Sequence, residues 1–283
     1  MSLIEKAQHQ AGKLKDHIIR QALKPVGWVA YPKFGLRPEF PELNPIATIL
    51  MLSKCSQYVR KNHTIIESYP LPTEGAAILT ANHFQQEDIY KAEYIAHTTA
   101  GRIIRTVLKK SLVVRGAYES QAYLDQIGDK KDTTKYSIIK AFIMRGVGGI
   151  PILRDNRSSN IAVMRTSYRV LDSGQLLGVF IQSSRDEEGL LRNLETGVAK
   201  IASRENHRDL PIYAFAFSEN KVVVLEPFTY NQLRNQDYGR DLTEAEFTIC
   251  IADRIVSVLP QNVQDDWKTR RETEFIRLST LKN

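Results

Sequence analysis

The residues best suited to chemistry lie in Ala81-Asn82-His83-Phe84-Gln85-Gln86-Glu87-Asp88. His83 and Asp88 stand five positions apart, just after the apolar run Ala76-Ala77-Ile78-Leu79. A histidine whose ring is oriented by a carboxylate is a ready general base near neutral pH. Two later apolar runs each end in an arginine, Arg154 after Gly149–Leu153 and Arg185 after Gly178–Ser184. One base and two cationic anchors suit a reaction on a hydroxyl of an anionic substrate. No serine or cysteine nucleophile stands near His83, so the hydroxyl itself would attack, without a covalent enzyme intermediate.

Spacing alone does not carry this reading. With six histidines and 32 acids in 283 residues, one such pair arises by chance about half the time. Geometry adds a condition. Along a helix, five residues turn the two side chains about 140° apart. They can meet only if His83 precedes the helix and Asp88 lies in its first turn. Asn82 as N-cap and Gln85 at the capping-box position fit such a start. In this arrangement Asp88 accepts a hydrogen bond from one ring nitrogen of His83, and the other nitrogen takes the substrate proton.

The elements that must hold these residues follow from patterning. Short apolar runs predict strands over Thr64–Glu67, Ala76–Thr80, Ile103–Leu108, Gly149–Leu153, Leu176–Ile181, Pro211–Phe217 and Val222–Leu225. Helical periodicity predicts Glu87–His97, Thr134–Met144, Asn160–Leu171, Thr196–Ser203 and Thr243–Leu259, with a charged helical tail from Asp265. This alternation predicts an α/β fold, a sheet covered by helices on both faces. The polar stretch Tyr118–Thr133 reads as an inserted loop.

The region before the first strand differs. Residues 1–65 hold ten Lys/Arg and four acids, nearly all of the chain's net +7. Apolar positions from Leu3 to Leu23 recur at helical spacing and end near Lys24-Pro25, prolines mark an extended connector over 25–45, and a second helix runs from Pro45 to about Lys61. The expected organisation is a basic helical N-terminal region over 1–62 and an α/β domain over 63–283 that includes the C-terminal helices. The basic region suits an anionic membrane surface, an acidic carrier protein or nucleic acid. No aromatic-rich basic motif supports nucleic acid. Cys55 and Cys250 match no metal spacing and suit a reducing compartment. No segment reads as a signal peptide or spans the roughly 20 residues a bilayer requires. A cytoplasmic protein, soluble or peripheral at a membrane, is the expectation.

Four blocks in order resemble the glycerolipid acyltransferases, the superfamily of 1-acylglycerol-3-phosphate and glycerol-3-phosphate acyltransferases. Asn82–Asp88 is similar to the family's Asn-His-x4-Asp. Gly149–Arg154 is similar to Gly-x-Ile-Pro-Val-Asp-Arg, with Leu153 where an aspartate is common. Gly178–Arg185 falls where Phe-Pro-Glu-Gly-Thr-Arg is expected, and Leu210–Phe215 is similar to a Val-Pro-Ile strand. Lys109 and Lys110 sit in a segment similar to the family's Lys-x-x-Leu. The resemblance covers about residues 65–225. It implies a glycerolipid acyltransferase-like fold with a mixed sheet, His83 as base, Asp88 as its orienter, and Arg154 and Arg185 on the acceptor phosphate, with Lys109 and Lys110 as additional candidates. It implies acyl-coenzyme A or acyl-carrier protein as donor substrate, a lipid acceptor such as lysophosphatidate, no metal and no cofactor.

The third block departs from the pattern. Ile181-Gln182-Ser183-Ser184 replaces Pro-Glu-Gly-Thr, which removes a charge and a glycine. Gln182, Ser183 and Ser184 are therefore candidate acceptor-site residues of altered chemistry. Three readings follow: an O-acyltransferase acting on a lysolipid, a glycerol-3-phosphate acyltransferase, and a catalytically silent acyl- or lipid-binding protein of the same fold.

Overall fold

The computed structural model describes residues 43–109, 138–152, 157–186, 188–235 and 239–280. The expected first helix and nearly all of the proline-rich connector, the expected loop over 118–133, and the candidates Lys110 and Arg154 lie outside the described residues.

The strands are β1 (Ile65–Ser68), β2 (Ala77–Ala81), β3 (Ile104–Lys109), β4 (Ile150–Ile152), β5 (Leu176–Phe180), β6 (Ile212–Phe217) and β7 (Lys221–Val224). They form one sheet in the order β1-β7-β6-β2-β5-β3-β4. Every neighbouring pair is parallel except β6 and β7, so the sheet is mixed. The helices are α1 (Pro45–Lys61), α2 (Asp88–Ala100), α3 (Ile138–Gly146), α4 (Arg157–Asp172), α5 (Gly197–Ala202), α6 (Tyr230–Leu233), α7 (Glu244–Val256) and α8 (Gln261–Thr280).

Period-two alternation builds two cores from one sheet. Along β6, Ile212, Ala214 and Ala216 join a cluster with Val198 and Ile201 of α5, Phe247 and Ile251 of α7 and Trp267 of α8. Tyr213, Phe215 and Phe217 face the other way, with Leu79, Ala81 and Ile104 of the sheet and Ile95 of α2. A third cluster packs Met51 and Cys55 of α1 against Ile89 of α2, Leu108 of β3 and Ile143 and Met144 of α3. Burial pushes the Cys55 thiol well above its usual range, so it is an inert packing group. Among the described residues, no helix is long and apolar enough to cross a membrane.

This topology creates a crevice. From β2 the chain passes to α2 on one face, and from its neighbour β5 it passes to α5 on the other. Adjacent parallel strands whose connections diverge to opposite faces leave a gap beyond their carboxyl ends, where open α/β sheets bind ligands. His83 follows β2, and Gln182 to Arg185 follow β5.

Candidate functional site

Asn82 fixes the exit from β2. Its side-chain amide donates to the Phe217 carbonyl at 2.9 Å, and its amide oxygen accepts the Phe217 N–H at 2.7 Å. The expectation that Asn82 caps the following helix is therefore corrected. The residue preceding α2 is Glu87, which makes no side-chain cap bond. A fully paired amide buried between two strands outweighs one exposed cap bond. Gln85 forms no capping box with Asn82 either; its side-chain oxygen accepts from the Tyr58 hydroxyl at 3.4 Å.

Asp88 organises the turn between β2 and α2. One carboxylate oxygen, Oδ2, accepts the backbone N–H groups of Phe84 and Gln85, each at 2.7 Å. The same oxygen lies 3.3 Å from His83 Nδ1. Since a carboxylate only accepts, Nδ1 carries the hydrogen, and Nε2 is the nitrogen left for a substrate. Asp88 has no solvent exposure, whereas the His83 side chain is 22% exposed. The condition set by the helix geometry is met: His83 precedes α2, and Asp88 is its first residue.

The third block holds His83 from the other side. Gln182, buried beyond the end of β5, accepts the His83 backbone N–H at 2.8 Å. Its amide nitrogen donates to the carbonyls of Leu190 (3.0 Å) and Arg192 (3.3 Å). The Asp186 N–H donates to the His83 carbonyl at 3.0 Å. Phe180 at the end of β5 stacks on the imidazole, with ring centroids 4.2 Å apart. Ser183 is tied to the Asn193 carbonyl through both its N–H (3.0 Å) and its hydroxyl (3.2 Å). Asn193, with φ of +52°, is secured in turn by Glu274 of α8, which accepts its N–H at 3.2 Å.

Ser184 is partly exposed and Arg185 is exposed, both in the loop just beyond Gln182. The acid next to Arg185 does not pair with it: Asp186 pairs with Arg192 at 3.4 Å. Among the described residues, no hydrogen bond or ion pair engages the Arg185 side chain. Lys109 closes β3 in register with Ile152 of β4, at the same edge of the sheet.

An apolar pocket lies beneath this arrangement, between α2 and the sheet. It is lined by Leu79 and Ala81 of β2, Ile89 and Ala92 of α2, and Phe180 and Phe217, among others. Phe180 thus joins the two features, with its ring against His83 and its side chain in the pocket wall. Gly178 keeps the wall thin, because a Cβ there would stand 2.7 Å from Ile104 Cγ2.

The acyltransferase family model matches residues 129–218. This span is about a third of the chain. The matched span contains the second, third and fourth blocks, including the diverged Gln182-Ser183-Ser184, and ends before α6. It does not reach back to His83 and Asp88, whose pairing is seen in the geometry. No curated protein matches the chain. Among solved structures it is similar to the 1-acyl-sn-glycerophosphate acyltransferase PlsC from Thermotoga maritima, with 13% identity, a TM-score of 0.47, and coverage of 83% of this chain and 81% of that one.

The residues that sequence reasoning missed are structural partners of the site: Phe180, Lys91 and the clamp from Asn82 to Phe217. Phe180 was within reach, as the aromatic residue of the third block just before Ile181-Gln182. The other two depend on contacts between segments far apart in the chain.

Proposed function

We propose that this acyltransferase moves a fatty acyl group from an acyl thioester, acyl-coenzyme A or acyl-carrier protein, to a hydroxyl of a phospholipid-type acceptor such as lysophosphatidate. One observation carries the proposal: a carboxylate-oriented, partly exposed histidine stacks on Phe180, a wall residue of an apolar pocket.

The step balances with protein groups alone. His83 Nε2 removes the acceptor hydroxyl proton as the oxygen attacks the thioester carbonyl and a C–O bond forms. Asp88 stabilises the resulting imidazolium. Collapse of the tetrahedral intermediate breaks the C–S bond, and the imidazolium returns the proton to the departing thiolate. Oxyanion stabilisation falls to backbone N–H groups of the third block. Those of Ile181, Ser183 and Asp186 are engaged by Ala81, Asn193 and His83, which leaves Gln182, Ser184 and Arg185 as candidate donors. The Arg185 guanidinium, exposed and with no acid partner among the described residues, would bind the acceptor phosphate as a two-pronged donor. Arg154 is assigned the same role from the family resemblance. The apolar pocket takes the acyl chain nearest the reacting carbonyl.

Thiol release measured with each donor against lysophosphatidate, other lysolipids, glycerol-3-phosphate and glycolipids tests this reading. Release that requires a lysolipid supports it. Release with glycerol-3-phosphate alone reassigns the acceptor. Donor binding with no release from any pair indicates the silent binding protein instead.

A further inference from the structure

Lys91 is among the most buried side chains of the molecule, with no exposure, one turn into α2 from Asp88. Lysine is rarely buried without a specific partner. Here Nζ lies 3.7 Å from Asp88 Oδ1, the carboxylate oxygen that makes no hydrogen bond. It donates to the carbonyls of Ser218 (3.1 Å) and Glu219 (3.4 Å) in the turn between β6 and β7, and stands 5.9 Å from the centre of the Phe217 ring. Two carbonyl oxygens accept from Nζ and a carboxylate oxygen lies at ion-pair distance, surroundings that suit an ammonium, which cannot accept. Burial lowers the Lys91 pKa, while the neighbouring Asp88 and Glu87 charges oppose that shift.

Asp88 thus divides its two oxygens. Oδ2 faces His83 and two backbone N–H groups, and Oδ1 faces Lys91. A buried carboxylate with no counter-ion would hold a proton on His83 too strongly for a base that must start neutral. We propose that Lys91 is a positioning residue for proton transfer: its ammonium, anchored to the β6–β7 turn, balances the Asp88 charge and so limits how tightly Asp88 retains the proton on His83.

The other charged groups around the pair do not supply this balance. Glu87, just before α2, adds negative charge. Asp186 beyond β5 is held by Arg192, and Arg185 is exposed. Glu219 in the β6–β7 turn offers its backbone carbonyl. The inference rests on the proposed role of the His83–Asp88 pair, and it can be read without turnover.

The test is an NMR titration of the His83 imidazole in the wild type and in Lys91→Met and Lys91→Gln, with folding checked by thermal melting. The Gln variant keeps a donor for the β6–β7 carbonyls while removing the charge. The titration midpoint is expected to rise by about half a pH unit or more in the variants, because the Asp88 charge is no longer balanced. Where activity is measurable, the acid limb of kcat/KM should rise with it. A merely structural lysine would lower stability and leave the midpoint in place, and an unchanged or lowered midpoint overturns the proposal. Should neither variant fold, the wild type decides through its Lys91 side-chain nitrogen: an ammonium at pH 7 supports the proposal, and a neutral amine overturns it. Absence of acyl transfer by wild type, with the midpoint shift present, would count against the proposed function alone.

Discussion

The first and third blocks meet at His83, yet they are built differently. In the first block, function follows charge: Asp88 is fully buried and gathers His83, two backbone N–H groups and Lys91 around one carboxylate. In the third block, the matching buried group is a neutral amide. Gln182 stands where the family pattern has glutamate, accepts from His83 and donates to Leu190 and Arg192. An ionised glutamate could make the first bond but neither of the others. Gln182 suits the two carbonyls around it, and His83 is clamped. A departure from a motif is therefore to be judged by the bonds its neighbours require.

The contrast can be broken most strongly on the charged side. Asp88→Asn keeps an acceptor for Phe84 and Gln85 but no longer stabilises the imidazolium. Activity should fall about a thousandfold, read as kcat/KM of acyl transfer, while the far-ultraviolet spectrum stays that of the wild type.

The amide side makes an opposite prediction. Gln182→Glu restores the family letter yet should destabilise the protein by about 2–4 kcal/mol at neutral pH, because a buried carboxylate would face two carbonyl oxygens. A protonated glutamate can donate to one of them. Its proton is favoured in the folded state, so the loss measured by denaturant unfolding should shrink as pH falls. Equal stability at neutral pH would show that the third block is indifferent to this exchange.

Asn82→Ala removes the paired bonds to Phe217 and should cost about 2 kcal/mol in the same measurement. Activity would fall as well, because the exit of β2 aims His83.

A pH-dependent effect separates these groups from a buried acid remote from the proposed proton transfer. Glu93 of α2 accepts the Ile104 N–H at 3.1 Å, and burial raises its pKa from 4.5 to about 8, with Arg105 opposing the shift. The folded state keeps this proton after the unfolded chain has released it. Its stabilising contribution is complete below about pH 4.5 and is lost as pH rises towards 8. The slope is at most about 1.4 kcal/mol per pH unit. In Glu93→Gln, thermal melts over that window should lose this slope.

Much of the fold was legible because the central strands are short apolar runs buried on both faces. The strands from β2 to β6 fall within a residue or two of the expected spans. The His83–Asp88 contact was legible too, since helix geometry allowed only one arrangement. Asn82 was misread because a local rule, capping, competes with a partner 135 residues away that no local pattern encodes. Lys91 carries no local signal, and the β6–β7 turn, 127 residues on, gives its ammonium a buried place. The one-turn helix α6 was missed because it is too short to show periodicity, although its capping box of Thr229 and Gln232 is local.

The central claim is that His83 is the base of an acyl transfer. The direct measurement is ester product formed from acyl-coenzyme A or acyl-carrier protein and lysophosphatidate, followed by mass spectrometry for wild type and a folded His83→Ala variant. The account predicts diacyl product from wild type and a loss of about a hundredfold or more in the variant. Product formed at the wild-type rate without the imidazole would contradict it.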